Sequence, residues 1–375
     1  MKVVLVTEWF PPDIGGVAAH VRDLALSLSA RKHEVYVITR KKDRKREWPF
    51  ELIELEYTDY LKTLYSIPGN TPLKKLLKKI DPDVVHIHHA FTPISLAFTL
   101  TSTLNDYPTV LTNHSAYLYD YNALLKALGY VAFPVRRVLK RVDKIIAVSD
   151  VAAKFIKSFV PSVPIEVIPN GVDVKKFNPR GSKKLRRSLN SDFIILYVGR
   201  LVYRKGVHYL IDSMAFITNE HPKSALVIVG DGPLKRHLKE RASELGLDKL
   251  VLFLGKVTDD ELPDVYRSSD VLVMPSLYGE SQGIVALEGM ASGLPVIASP
   301  VGGLREVITD RVTGLLLESI SPRSIANTVL MLHSNPLLSK KISKKAREIV
   351  EKKYSWDVII PKVERVYEEV MLMSH

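Results

Sequence analysis

Short apolar runs alternate with amphipathic stretches along the whole chain. Each run is rich in β-branched residues and predicts a buried strand, and the stretch after it has apolar side chains at helical spacing. The strands form two series, at residues 3–7, 35–39, 84–88, 109–112, 144–148 and 166–168, and at residues 193–198, 225–229, 251–254, 271–274 and 295–298. Strands that alternate with helices are typical of an α/β fold whose mainly parallel sheets are covered on both faces.

The two series predict two domains. A length of 375 residues fits two domains of roughly 100–200 residues each. Residues 169–182 contain Pro, Asn and Gly without apolar periodicity, which favours a linker between a domain at 1–172 and another at 173–354. Doubly wound domains carry ligand loops at the carboxyl ends of their strands, so we expect these loops to face a cleft.

The composition narrows the class of protein. With 46% hydrophobic and 25% charged residues the chain can build sizeable cores. The absence of cysteine excludes disulfides, a thiolate nucleophile and thiolate zinc sites, and it suits a reducing compartment. The first strand does not resemble a signal peptide, and no apolar run reaches membrane-spanning length, so we expect a cytoplasmic protein.

The excess of positive charge has several possible causes. Lys and Arg total 53 against 41 acidic residues, giving a net charge of +12. The clearest clusters lie in residues 40–46, 74–79 and 136–144. They are dispersed rather than gathered on a face with stacking aromatic residues, so no nucleic-acid partner is expected. Residues 124–144 could lie on the inner face of an anionic membrane as a peripheral contact, or form an ordinary solvated helix over a core.

The strongest candidate site follows the strand at 271–274. A loop with Glu280 and Gly283 leads into a helical pattern at 284–291 that contains Glu288. Free N–H groups at a helix start favour a phosphate, and a carboxylate suits the hydroxyls of a sugar. The alternative is that Glu288 only complements the helix dipole and that Glu280 is a solvated loop residue.

A second candidate follows the strand at 193–198. Arg200 and Lys205 flank a turn at the carboxyl end of this strand. Such a pair can neutralise a diphosphate leaving group, with arginine as a fork and lysine as a point charge. A solvated basic turn is the alternative.

The first half offers weaker candidates. Gly16 opens the helix after the first strand and could present its backbone to an anion, while His114 follows the strand at 109–112. His86, His88 and His89 raise the question of a metal, since residues two apart on a strand share a face. No acidic partner stands near them in the sequence, so we expect no metal site.

Several ordered motifs together resemble the retaining GT-B glycosyltransferases with the E-x7-E motif. They are Gly15-Gly16, Pro169-Asn170-Gly171-Val172-Asp173, Gly199-Arg200 with Lys205-Gly206, Gly230-Asp231-Gly232-Pro233, and Glu280 eight residues before Glu288. The resemblance covers nearly the whole chain. It implies a GT-B fold of two doubly wound Rossmann-like domains, with the C-terminal helix at 355–375 crossing back to the first domain.

The same resemblance implies roles for individual residues. Arg200 and Lys205 would bind the donor diphosphate, Glu288 the ribose and Glu280 the donor sugar. Further donor contacts would come from Gly16, Lys256, Val257, Gln282, Gly283, Ile284 and Val285, and His114 would reach the sugar. Gln282 departs from the family, which commonly has an aromatic residue there, so the preference for a particular sugar is open.

The implied reaction moves a sugar from a nucleotide-sugar to an acceptor hydroxyl with retention, without a metal or other cofactor. Gly15-Gly16-Val17, Asn113-His114-Ser115 and residues 201–206 look like the branch that transfers N-acetylglucosamine from UDP to phosphatidylinositol. We therefore favour a UDP-sugar such as UDP-GlcNAc or UDP-glucose, with a sugar or lipid-linked acceptor. A sugar-nucleotide epimerase and a GDP-mannose-dependent mannosyltransferase are the alternatives.

Overall fold

The computed structural model describes residues 1–13, 15–42, 47–56, 58, 71–117 and 132–373. The chain forms two compact units. The first comprises Met1–Gly171 and Trp356–His375, and the second Val172–Ser355. Parts of the basic stretches expected at 40–46 and 124–144 lie outside the described residues.

Each unit contains one sheet, and all described strand pairs are parallel. The first sheet has the order β3-β2-β1-β4-β5-β6-β7 and the second the order β10-β9-β8-β11-β12-β13. The strands are β1 Lys2–Thr7, β2 Glu34–Arg40, β3 Glu51–Leu55, β4 Val84–His88, β5 Thr109–Asn113, β6 Lys144–Ala147, β7 Ile165–Val167, β8 Phe193–Val198, β9 Ser224–Val229, β10 Val251–Gly255, β11 Val271–Met274, β12 Val296–Ala298 and β13 Leu315–Leu316.

Helices connect most of these strands. They are α1 Gly16–Ala30, α2 Pro72–Ile80, α3 Pro93–Thr103, α4 Ala132–Leu139, α5 Asp150–Lys157, α6 Lys184–Ser188, α7 Val207–Glu220, α8 Lys235–Glu244, α9 Leu262–Ser268, α10 Ile284–Ala291, α11 Leu304–Val307, α12 Pro322–His333, α13 Pro336–Lys353 and α14 Trp356–Met373. A turn of 3-10 helix covers Tyr203–Lys205.

The pattern of apolar runs locates the strands well. Every predicted strand is present, and its observed ends differ from the expected ones by one residue at most. The pattern of apolar runs does not predict two of the described strands, β3 and β13. β3 lies at the sheet edge with its residues only half buried or exposed, and β13 has two residues, so neither produces a buried apolar run.

Helices cover both faces of the first sheet. α14 packs with α1 in one apolar cluster, which holds Leu24, Leu28, Ile360 and Val366 fully buried. The opposite face is covered by α2, α3, α4 and α5. The last helix is thus part of the core of the first unit although 184 residues of the second unit, Val172–Ser355, precede it in the chain.

The second sheet is likewise enclosed by two apolar clusters. α7 and α12 contribute to one of them, while α10 and α13 contribute to the other. The central strands β8 and β11 are buried along most of their length, so only the loops at their ends can carry exposed polar groups. The loops at the carboxyl ends of β8 and β11 are those in which the sequence predicts chemistry.

Candidate functional site

The loops after β8 and β11 touch each other in the second unit. The Leu277 N–H donates to the carbonyl oxygen of Arg204 at 2.7 Å. Gly206 ends the 3-10 turn with a φ of 66°, and a Cβ there would lie 2.0 Å from the carbonyl oxygen of Pro275. A side chain at Gly206 would force the loops apart, so glycine allows Lys205 to lie beside the segment after β11.

Lys205 and Glu280 form a buried ion pair at this junction. The Lys205 ammonium donates to Glu280 Oε1, and the two side chains are 16% and 7% exposed. Ser276 Oγ donates to the same carboxylate oxygen at 2.5 Å. The interpretation of Glu280 as a solvated loop residue is therefore wrong.

The charge of Glu280 is stabilised by its neighbours. Burial by itself would raise the pKa of this carboxyl, but the charge and hydrogen bond of Lys205, the hydrogen bond of Ser276 and the charge of Arg204 together lower it. Arg204 also donates to the carbonyl oxygen of Gly279 at 3.1 Å, which ties its side chain to this loop. Glu280 is therefore an ionised acceptor at neutral pH.

Gly283 turns the chain from this loop into α10. Its φ is 95°, and a Cβ there would lie 2.5 Å from Leu304 Cδ2, so both backbone conformation and space favour glycine. The first-turn N–H groups of Ile284 and Val285 have no partner within the helix by ordinary helix geometry, and both residues are only partly buried. They can therefore donate to an anion.

Gly302 and Gly303, in the loop after β12, contact the backbone of the loop that carries Glu280. The Gly303 N–H donates to the carbonyl oxygen of Glu280 at 2.9 Å, and a Cβ on Gly302 would lie 2.0 Å from that oxygen. This backbone contact fixes where the Glu280 side chain begins.

Glu288 lies one turn into α10 and is held by a tyrosine of α9. Tyr266 Oη donates to Glu288 Oε2 at 2.6 Å. Tyr266 is fully buried and Glu288 is 8% exposed. The Glu288 carboxylate therefore has a defined hydrogen-bond donor, the Tyr266 hydroxyl, in addition to its place near the helix start.

The other predicted residues of the second unit are less tightly held. Arg200 is exposed and, among the described residues, its side chain has no hydrogen bond or ion pair, so it is not joined to Lys205 and Glu280. Lys256 is exposed directly after β10, and Val257 packs against an apolar cluster. Gln282 is buried, with 2% of its surface exposed.

In the first unit, Gly16 begins α1 with its backbone exposed, as expected. His114 follows β5 in a loop shaped by Asn113, whose Nδ2 donates to the carbonyl oxygens of Ser115 at 2.8 Å and Ala152 at 3.0 Å. Burial and the neighbouring His20 hold the pKa of His114 well below its ordinary value. The ring is therefore uncharged at neutral pH.

His114 belongs to a cluster of imidazoles. His88 Nδ1 lies 3.3 Å from His114 Nε2, and the ring centroids of His20 and His114 are 4.9 Å apart. The potential ligand nitrogens of His20, His88 and His114 all lie within 4.8 Å of one another. Zinc-bound imidazole nitrogens in a tetrahedron lie about 3.3 Å apart, which is the distance between His88 Nδ1 and His114 Nε2.

The histidines considered for a metal from the sequence do not converge. His86 uses Nδ1 toward Tyr367 Oη and Nε2 toward Thr112 Oγ1, both at 2.6 Å. His89 Nε2 lies 3.1 Å from Ser115 Oγ. These ring nitrogens of His86 and His89 thus already contact hydroxyl groups, although they would be needed to bind a metal ion together with His88.

The sequence analysis did not identify five residues that support the site: Ser276, Arg204, Tyr266, Gly302 and Gly303. Ser276 and Arg204 lie inside the two predicted loops, so their polar side chains next to Glu280 and Lys205 were a usable signal. Tyr266 comes from a separate helix 22 residues before Glu288, and no local pattern links the two.

Comparison with known proteins identifies the family. Residues 182–349 match Glycosyl transferases group 1, and residues 14–176 match Glycosyltransferase Family 4. An uncharacterized glycosyltransferase of Methanocaldococcus jannaschii is 33% identical over all of this chain and 99% of its own length. The chain belongs to the group 1 glycosyltransferases.

Relatives of this glycosyltransferase with more specific names differ in donor and acceptor. The alpha-monoglucosyldiacylglycerol synthase of Streptococcus pneumoniae is 27% identical over 84% of this chain and 75% of its own length. A GDP-mannose-dependent alpha-(1-6)-phosphatidylinositol monomannoside mannosyltransferase of Mycobacterium tuberculosis is 28% identical over 96% of this chain and 97% of its own length.

Solved structures confirm the predicted GT-B fold of the glycosyltransferase. Sucrose-phosphate synthase from Thermosynechococcus elongatus has a TM-score of 0.83 at 24% identity and covers 99% of both chains. Anabaena HepE in complex with UDP and glucose has a TM-score of 0.82 at 22% identity over 98% of this chain and 99% of its own. Within the described part of the glycosyltransferase, we find no helix with the length and apolar character needed to cross a membrane.

Proposed function

We propose that this glycosyltransferase moves a hexosyl group from a nucleoside diphosphate sugar to an acceptor hydroxyl with retention of anomeric configuration. The observation that carries the proposal is the buried pair of Lys205 and Glu280, which a hydrogen bond from Ser276 fixes. Glu280 lies three residues before Gly283, the glycine that precedes α10. A cation, an ionised acceptor and a helix start within one loop junction match a ligand that has both phosphates and sugar hydroxyls.

The proposed donor contacts follow from these groups. Lys205 and the exposed Arg200 bind the diphosphate, with the first-turn N–H groups of Ile284 and Val285. Glu280 accepts from hydroxyls of the donor sugar, and Glu288 accepts from the ribose. Lys256 and Val257 lie toward the base, and the backbone of Gln282 and Gly283 lines the sugar and phosphate.

In the first unit, we assign two donor contacts on the resemblance of the motifs alone. The exposed backbone of Gly16 would bind near the diphosphate. His114, uncharged at neutral pH, would donate or accept one hydrogen bond at the sugar.

The proposed chemistry needs no carboxylate nucleophile. The bond from the anomeric carbon to the leaving phosphate oxygen breaks while the acceptor oxygen bonds to the same face of that carbon. The acceptor proton passes to the departing phosphate, whose charge Lys205 and Arg200 stabilise. One well-placed donor of this kind is worth about 3–4 kcal/mol of transition-state stabilisation. Because protein cations take this role, we propose a metal-independent reaction.

The motifs Gly15-Gly16-Val17 and Asn113-His114-Ser115, together with residues 201–206, favour a UDP-sugar, UDP-GlcNAc or UDP-glucose, as donor. The mannosyltransferase relative makes GDP-mannose the specific alternative. Relatives named for diacylglycerol and phosphatidylinositol substrates support a lipid or lipid-linked acceptor.

Exposed cations support peripheral contact with an anionic membrane. α2 presents Lys75, Lys78 and Lys79 to solvent, while α4 and the turn after it present Arg137, Lys140 and Arg141. Both helices pack in the same apolar cluster on one face of the first sheet. Each such cation near an anionic leaflet contributes about 1 kcal/mol to binding.

A donor screen tests the proposal. Wild-type protein is incubated with UDP-, GDP- and ADP-sugars and candidate acceptors, and the released nucleotide and the product are measured by mass spectrometry. We expect one donor class to be used, an α-linked product from an α-linked donor by NMR, undiminished turnover in EDTA and loss of transfer in Glu288→Ala. Inversion at the anomeric carbon, or full activity of this variant, contradicts the proposal. Turnover of donor alone to an epimeric nucleotide-sugar would identify an epimerase.

A further inference from the structure

The phenol of Tyr266 is aimed at the carboxylate of Glu288 from a different helix. The distance from Tyr266 Oη to Glu288 Oε2 is 2.6 Å, within the range for a hydroxyl that donates to a charged acceptor. Such bonds are about twice as strong as those between neutral groups. Both side chains are buried, at 0% and 8% exposure, so water competes little for this contact.

The position of the phenol is itself fixed by packing. The Tyr266 ring meets Phe177 edge to face, with centroids 5.6 Å apart and an interplanar angle of 86°. It lies in the apolar cluster that also contains Leu272 and Met290. Burial raises the pKa of Tyr266 far above its ordinary value, so the hydroxyl stays protonated and can act only as a donor toward the carboxylate.

A glutamate without such a partner would lose rotational freedom when it binds a ligand. Three dihedral angles set its carboxylate, and a bond on Oε2 selects one orientation before the ligand arrives. Preorganisation of this kind raises affinity because the cost of ordering is met during folding.

We infer that Tyr266 is a positioning residue for the donor, which orients the Glu288 carboxylate toward the ribose hydroxyls of a nucleoside diphosphate. The inference rests on the proposed function, since it takes Glu288 as the ribose ligand. It adds a specific consequence: the protein distinguishes ribose from deoxyribose through a hydrogen bond that Tyr266 donates away from the ligand.

The test compares nucleotides with and without the hydroxyls. Binding of UDP, GDP and ADP to the full chain is measured by calorimetry to choose the base, followed by the matching 2′-deoxy and 3′-deoxy diphosphates. In Tyr266→Phe, which keeps the ring, we expect about tenfold weaker binding of the ribonucleotide, close to 1.4 kcal/mol. We expect little change for the deoxynucleotide that lacks the hydroxyl bound by Glu288.

Two further variants separate positioning from general loosening. Tyr367→Phe removes a buried 2.6 Å hydrogen bond, to His86 in the first unit, and serves as the matched control that should bind nucleotides like wild type. In a Glu288→Gln background, Tyr266→Phe should weaken ribonucleotide binding much less than in wild type, since the two residues act as one unit. Thermal unfolding checks that each variant folds.

The outcomes are distinct. Equal losses for ribo- and deoxynucleotides in Tyr266→Phe, or no loss for either, overturn the positioning role. Wild-type protein that binds both nucleotide forms equally overturns instead the assignment of Glu288 to the ribose, and with it that part of the proposed function. Additive losses in the double variant also count against Tyr266.

Discussion

Lys205 and Glu280 form an ion pair in which neither side chain is more than 16% exposed. Removing one partner of such a pair leaves an uncompensated buried charge, at a cost of about 3–5 kcal/mol. Each of the two residues proposed to bind the donor diphosphate and sugar thus also compensates a buried charge of the second unit before any donor arrives. Loss of activity in a single variant therefore has to be separated from loss of stability.

A pair of variants makes this separation. We expect Lys205→Ala to lower the free energy of unfolding by about 3 kcal/mol and to abolish transfer. The double variant Lys205→Ala with Glu280→Ala should regain much of the stability, since no buried charge is left alone, yet remain inactive. Chemical denaturation and the transfer assay measure the two effects.

The control for this pair is a surface lysine. Lys345 lies 3.3 Å from Glu348, with side chains that are 51% and 40% exposed. Lys345→Ala should cost less than about 1 kcal/mol and leave transfer unchanged. A double variant at 205 and 280 that is as unstable as the single one would show that the pair does not act as described.

Gly283→Ala should damage both the fold and donor binding. The left-handed φ costs about 1–3 kcal/mol for a residue with a side chain, and the methyl group would press on Leu304 as well. Gly246 is a matched control, because its φ is 69° and nothing lies within 4 Å of an added Cβ. Thermal unfolding and nucleotide calorimetry should show a larger loss for Gly283→Ala, with the loss of affinity confined to it. Equal unfolding temperatures for the two variants would refute the close approach of Leu304.

The first unit should become less stable in mild acid. Burial holds the pKa of His20 and of His86 at about 3, whereas the unfolded chain titrates near the ordinary value of 6.5. Below pH 6.5 the unfolded state therefore binds more protons, and the free energy of unfolding falls as pH decreases toward 4. Each such histidine lowers the free energy of unfolding by about 1 kcal/mol between pH 6.5 and 5.5, and by about 1.4 kcal/mol per pH unit at lower pH within this window. Denaturant titrations at pH 7.5, 6.5 and 5.5 measure the slope.

One substitution tests how much His20 contributes to this pH dependence of stability. His20→Gln should reduce the loss of stability between pH 6.5 and 5.5 by about 1 kcal/mol, because the new side chain does not titrate beside His88 and His114. His237→Gln, at an exposed position on α8, should leave the slope unchanged. A His20→Gln slope identical to that of wild type would contradict the proposed origin.

Membrane contact can be tested with two sets of three substitutions. Replacing Arg137, Lys140 and Arg141 by Gln should weaken binding to vesicles that contain anionic lipid at least tenfold, and added salt should weaken wild-type binding too. Arg136 is kept, since its guanidinium donates to the carbonyl oxygens of Phe159 and Ser158.

The matched set removes the same charge from the second unit. Lys340, Lys341 and Lys344 are exposed on α13. Their replacement by Gln should leave vesicle sedimentation close to that of wild type. Equal losses in both sets would mean that net charge alone attracts the protein, and no loss in either would remove the membrane proposal.

The sequence predicts well what local pattern determines. Buried parallel strands are nearly continuous apolar runs, so the ends of β8 and β11 could be predicted from the sequence. The ends of α10, which follows Gly283, could be predicted as well. The loops at the ends of these strands were found for the same reason. The partners of the site residues could not be found in this way, because Tyr266 meets Glu288 through tertiary packing that leaves no periodic signal.

The burial of a side chain in a loop also cannot be predicted from the spacing of residues in the sequence. Arg200 and Lys205 look alike in the sequence as cations around a turn, yet one is exposed and the other is enclosed with Glu280. The difference depends on Gly206, which lets the neighbouring loop approach closely enough to cover Lys205. The contact between these two loops exists because β8 and β11 are neighbours in the sheet. The sequence around Arg200 and Lys205 does not reveal this strand order.

The packing of α14 against α1 has a consequence for synthesis on the ribosome. Residues 1–171 emerge first, but the apolar cluster that holds Leu24 and Leu28 is complete only when Trp356–Met373 has been made. The second unit, being continuous in the chain, can complete its core before that moment. The half of the enzyme that is translated first is thus the last to finish folding, and it stays exposed to aggregation or chaperone binding until then.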